Sequence, residues 1–167
     1  IKNDADIIPF FQDLFDKLGK PIKLQLPVQL KDSSGCSAFF CRDENGGVVV
    51  GKNLDWKRDP VLLLKTEPEY GYKSLSLVNL NFCDIFRLNS FTHSLLFSPY
   101  VPLDGINEKG LVVSMLSVQE GSKYPEDAGK ITVGDFNIIR ILLDTCGSVK
   151  EAVEKIKYYN LRQSSIL

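Results

Sequence analysis

Residues 36 to 55 constrain this chain more than any other stretch. Two apolar runs, Ser37–Arg42 and Val48–Leu54, flank Asp43-Glu44-Asn45-Gly46-Gly47. Asn and Gly in tandem accept the positive-φ geometry that reverses a chain between paired strands, so the segment reads as a β-hairpin. With the turn centred near Asn45, antiparallel partners carry numbers that sum to about 90, and facing side chains stand about 5 Å apart. Cys36, at the start of the first strand, then faces the region of Asn53 to Asp55. One end of the hairpin gathers the thiol of Cys36, the ammonium of Lys52 and the carboxylate of Asp55. A cation beside a thiol favours the reactive thiolate, and a nearby carboxylate can hold an ammonium group.

The rest of the chain divides around that hairpin. Residues 6–19 form an amphipathic helix by pattern, with Ile7, Phe11, Leu14 and Leu18 at helical spacing, Asp6 as N-cap and Gly19 at the end. Residues 20–35 are polar or extended and close in the loop composition Asp32-Ser33-Ser34-Gly35. Further strands are expected at 61–66, 73–80 and 111–118. Two helices follow. One spans about 133–145, with Thr132 and Asp135 as a capping box. The other spans about 149–158, with Ser148 and Glu151 capping and Val149, Ala152, Val153 and Ile156 facing inward. Antiparallel strands followed by helices give an α+β fold with helices packed on a sheet face. Residues 1–35 read as a segment distinct from 36–167.

Composition excludes several functions. The apolar fraction of 44% supports a core. A net charge of −1 with interspersed signs leaves no basic patch for nucleic acid. No apolar run approaches the roughly 20 residues of a membrane helix, and no basic-then-apolar leader is visible. The chain opens at Ile1 rather than Met, which leaves room for an upstream piece and leaves the compartment open. The four cysteines, Cys36, Cys41, Cys83 and Cys146, fit no zinc spacing, and they read as free thiols. With His93 as the one histidine, a Ser-His-Asp or Cys-His centre would depend on that residue alone. No metal or organic cofactor is expected.

A thiol nucleophile still requires a base. An N-terminal α-amine supplies one, since its ordinary pKa of about 7.7–8.0 lies near neutrality and it is tethered to its own side chain. That requires cleavage of Gly35–Cys36. On these residues alone, Cys36 reads more readily as a structural strand residue than as a nucleophile. Cys41 is a rival nucleophile, but it lies mid-strand, where no cut would free its amine.

Three blocks carry a resemblance. Cys36-Ser37-Ala38-Phe39-Phe40 followed by Gly51-Lys52-Asn53-Leu54-Asp55-Trp56 resembles the opening of the choloylglycine hydrolases and penicillin V acylases, the linear amide C–N hydrolases. Asp104-Gly105-Ile106-Asn107-Glu108-Lys109-Gly110-Leu111 is similar to that family's Asp-Gly-Met-Asn-Glu-Lys-Gly-Leu segment. Arg140–Asp144 with Ser148–Ala152 resembles its helix pair. The order and spacing agree over about residues 36 to 160.

The resemblance implies an N-terminal-nucleophile (Ntn) hydrolase fold, a four-layer αββα sandwich of which this chain supplies the N-terminal part. It implies hydrolysis of a small-molecule N-acyl amide, with catalytic residues Cys36, Asp55 and Lys52. Asp55 would bind the freed α-amine. Lys52 stands where the family has Arg, so the charge is kept and the guanidinium fork is lost. Ser117 falls at the position of an oxyanion-hole Asn, and Asn53, read from the hairpin alone, either lines the site or holds the hairpin's end together. Gly35 and Cys36 would be the processing pair, with residues 1–35 a propeptide or a retained subunit that docks by its helix. The remaining C-terminal part of the same protein would complete the site, and homo-oligomerisation is left open. Acyl transfer at the same site and an inactive binding scaffold are the alternative functions.

Other residues read as structural. Asn107 to Gly110, with Asp104 and Gly105, form a turn before the strand at 111–118. Trp56 is a core residue beside the site. His93 is a satisfied or surface histidine, and Cys83 and Cys146 belong to the core. Phe39, Phe40, Trp56 and Phe82 suit an apolar acyl pocket or a core equally well.

Overall fold

The computed structural model describes residues 35–55, 60–80, 95–116 and 126–162. The helix expected at 6–19 lies outside the described residues, as do Trp56, Phe82, Cys83, His93 and Ser117.

The hairpin forms as its sequence dictates. Strand β1 (Gly35–Arg42) pairs antiparallel with β2 (Val48–Asp55), and partner numbers sum to 90 from Gly35–Asp55 to Arg42–Val48. Gly46 takes a φ of 82°, open to glycine at little cost. The Asp43 carboxylate accepts the backbone N–H groups of Asn45 and Gly47 at 2.8 and 2.7 Å, a side-chain brace inside the turn.

A four-stranded antiparallel sheet follows in the order β3 (Val61–Thr66), β4 (Ser74–Asn79), β5 (Asp104–Asn107) and β6 (Val112–Ser114). The expected strand at 73–80 is trimmed by one residue at each end, and the strand expected at 111–118 is regular over 112–114. One face of this sheet carries Ser74, Ser76, Val78 and Asn107, all buried beneath helix α1 (Asp135–Thr145) and its neighbours. The opposite face carries Leu63, Leu75, Leu77 and Ile106, all exposed large apolar side chains. Period-two alternation thus splits the sheet into a covered face and an apolar open one.

Helix α1 contributes a large part of the core, with Ile138, Ile139, Ile141, Leu142 and Leu143 buried. Its N-cap is Gly134 without a side-chain cap, because Thr132 belongs to strand β7 (Ile131–Gly134) rather than to the expected capping box. The second box does form. Ser148 Oγ accepts the Glu151 N–H at 3.2 Å, and the Glu151 carboxylate accepts the Gly147 N–H at 2.8 Å at the start of α2 (Val149–Ile156). Of the face expected inward, Ala152 is buried and Ile156 partly so, while Val149 and Val153 are exposed. Helix α2 ends two residues early, and β8 (Tyr159–Arg162) follows it, parallel to β7. The helix pair is therefore a crossover between parallel strands, a connection the all-antiparallel expectation lacked.

Candidate active site

The strand pleat puts Cys36, Ala38 and Phe40 on one face of β1, with Leu54, Lys52 and Val50 opposite them on β2. Cys36 and Lys52 therefore share a face as diagonal neighbours, a separation that a long side chain spans. Cys36 is half-buried and free, Cys41 is exposed and free, and Cys146 is buried and free. The expectation of a buried thiol holds for Cys146, while Cys41 stands on the solvent side of the hairpin.

Lys52 is fixed across the molecule. Its ammonium donates to Asp104 Oδ1 at 2.5 Å and to the Met115 carbonyl oxygen at 2.6 Å. The two charged side chains are only 12% and 16% exposed. Ser114 Oγ donates to the same Asp104 oxygen at 2.5 Å from the directly paired position of β6. The hairpin is thus tied to the four-stranded sheet by a cation that bonds two oxygens on the far side, one of them also held by Ser114.

Asp104 corrects the sequence reading. It opens strand β5 instead of belonging to a turn, and its carboxylate holds the Lys52 ammonium. Four residues of alternation are too short to announce a strand against the turn signal of Asn107 and Gly110. Ser114 and the Met115 carbonyl were invisible for a different reason. A backbone oxygen has no sequence signature, and a serine within an apolar strand carries little. Gly105 is explained by packing, since a Cβ there would lie 2.6 Å from Leu143 Cδ1 and 2.9 Å from the Leu75 carbonyl oxygen.

The remaining candidates fall as follows. Asn53 pairs with Ser37 and is exposed, on the face away from Cys36 and Lys52. Asp55 pairs with Gly35 at the end of the ladder, one position from Cys36, and its side chain lies outside the described part. Ser117 also lies outside it. Gly35 is the first residue of β1 rather than the last of a loop, so the Gly35–Cys36 bond sits at the strand's end. Asn107 does serve the turn, and does more. It is buried, and its amide donates to the carbonyl oxygens of Leu143 at 2.9 Å and Cys146 at 2.7 Å. Its Oδ1 accepts the N–H groups of Lys109 and Leu111, both at 3.1 Å.

Between hairpin and sheet runs an open groove of about 1300 Å³. Ala38, Phe40, Val50 and Leu54 line one wall, Leu63, Leu75, Leu77 and Ile106 the other, with Lys52 and Asp104 set into it. Cys36 is not part of that wall and stands one pleat beyond Ala38. Phe39 and Phe40, 64% and 75% exposed, are rim residues and not core. Among the described residues, no group of three His, Cys, Asp or Glu side chains could hold a metal ion, and no helix is long and apolar enough to cross a membrane.

Fold and site together define an α+β protein whose hairpin presents a thiol and a clamped cation on one face, beside an apolar groove. Residues 36–166 match the model of the linear amide C–N hydrolases, choloylglycine hydrolase family. The chain belongs to that family, whose members are hydrolases of carbon–nitrogen bonds other than peptide bonds. No solved structure gives a significant match to it.

Proposed function

We propose that this protein hydrolyses a linear N-acyl amide with Cys36 as an N-terminal nucleophile, freed by cleavage of the Gly35–Cys36 bond. The observation that carries the reading is the start of the family match at Cys36 itself, the residue at the open end of the hairpin beside Lys52 and Asp55. Cys36 as the first residue of the mature chain supplies both thiol and base. Residues 1–35 are then a propeptide or retained subunit.

The reaction proceeds in two steps. The α-amine takes the thiol proton, and the sulfur attacks the amide carbonyl carbon. The proton passes to the leaving nitrogen as the C–N bond breaks, giving an acyl-thioester and a free amine. Water, deprotonated by the same α-amine, then attacks the thioester carbonyl and releases the carboxylic acid and the thiol. Asp55 holds the α-amine in place. Lys52 stands on the thiol's face of the hairpin, and Ser117 is the candidate for the oxyanion contact, while Asn53 on the opposite face is left to the hairpin itself. The apolar walls of the groove favour an apolar acyl group.

The wider architecture is proposed as the four-layer αββα sandwich. Three successive layers support it: helix α1, the four-stranded sheet, and the hairpin facing that sheet's apolar side. An open apolar sheet face of this size is a surface another layer covers, and the remaining C-terminal part of the protein is the proposed cover.

Thiol labelling tests the nucleophile. Cys41 is exposed and Cys36 only half-buried, so accessibility alone makes Cys41 react faster with iodoacetamide. An activated Cys36 reverses that order in the mature protein. Preferential labelling of Cys41 with Cys36 unreacted contradicts the proposal.

A further inference from the structure

We infer that Asp104 and Ser114 are positioning residues that aim Lys52 at the reacting group. The inference rests on the reading of Cys36 as nucleophile. An ammonium has three N–H donors on a flexible four-carbon stem. Asp104 Oδ1 and the Met115 carbonyl oxygen occupy two of them, and among the described residues the third has no acceptor. Two fixed bonds from a rigid sheet edge define where the third N–H points. Ser114, donating to the same oxygen, fixes the carboxylate that does the fixing.

The arrangement also accounts for a lysine here. A guanidinium spreads its donors over a planar fork, whereas this site converges a carboxylate oxygen and a carbonyl oxygen on a single nitrogen. The third donor is left for an oxygen of the substrate that approaches Cys36. The clamp crosses from hairpin to sheet, so the cation is held from outside the strand that carries it. In this role Asp104 touches neither thiol nor substrate and acts through Lys52 alone.

The test uses the intact, mature protein with N-hexanoyl and N-dodecanoyl 7-amino-4-methylcoumarin as probe substrates, well below each variant's melting temperature. Asp104→Ala is expected to lower kcat by about 10-fold to 100-fold with KM nearly unchanged, since small misplacements of a positioned group carry losses of that size. Ser114→Ala should fall in the same direction by less. Lys52→Met should lower kcat at least as far, and adding Asp104→Ala to Lys52→Met should change kcat no further. If Asp104→Ala does not fold, Ser114→Ala and Asp104→Asn carry the same test in the same two backgrounds. A folded Asp104 variant with wild-type kcat, or a loss that multiplies independently with that of Lys52→Met, overturns the positioning role and leaves the nucleophile reading intact. Wild-type turnover by Cys36→Ala overturns both.

Discussion

The ammonium of Lys52 sits 2.5 Å from Asp104 Oδ1, joining two residues 52 positions apart and two separate sheets. Both side chains are largely withdrawn from water, so neither charge is easily left alone.

Breaking that pair from one side is expected to be costly. Lys52→Met or Asp104→Leu should each destabilise the fold by about 3 kcal/mol, because a partly buried partner charge is stranded. The double variant Lys52→Met/Asp104→Leu should be less destabilised than the two single losses added together. Urea denaturation of the four proteins measures the coupling, and strict additivity would show that the pair contributes nothing as a unit.

Asn107 predicts the opposite profile. Its four hydrogen bonds pin the β5–β6 turn to the end of α1, so Asn107→Ala should cost about 2–4 kcal/mol of stability by leaving several buried groups unpaired. The iodoacetamide rate at Cys36 should be unchanged in the folded variant. A loss of thiol reactivity at full stability would move Asn107 from scaffold to site.

The capping box of α2 gives a pH dependence. Glu151 is held below its ordinary carboxylate value of 4.5, first by the Gly147 N–H and then by the Ser148 hydroxyl. A depressed carboxylate adds stability above its unfolded pKa and loses it as pH falls through the folded value. Stability should therefore decline below about pH 4.5, and Glu151→Gln should flatten that decline. Thermal melts across pH 3–6 read it, and identical acid limbs in both proteins would count against the cap.

How much of this was legible follows from the range of each signal. The register of the hairpin was readable, because its turn is local and strand alternation fixes the register from there, while its strands run past the expected ends to Gly35 and Asp55. Ser148 and Glu151 were readable for the same reason. Thr132 was not, since the same letters that cap a helix also suit a strand, and only the pairing of β7 with β8 decides between them. Val149 and Val153 follow helical spacing yet are exposed, because periodicity locates a face without saying what covers it. At the site, the backbone register sets the positions of Cys36, Lys52 and Asp55 toward one end of the hairpin. Asp104 reaches Lys52 through tertiary packing, which no spacing rule encodes.

The most direct test of the central claim separates cut from uncut chains in one preparation. Intact mass and N-terminal sequencing assign each fraction, and amine release from an N-acyl amide measures its activity. While Gly35–Cys36 is intact the α-nitrogen is an amide and cannot act as a base, so the uncut chain should be folded and inactive. Activity should reside only in chains that begin at Cys36, and Cys36→Ala should be neither cut nor active. Full amidase activity in material shown by mass to be uncut at Gly35–Cys36 would contradict the account.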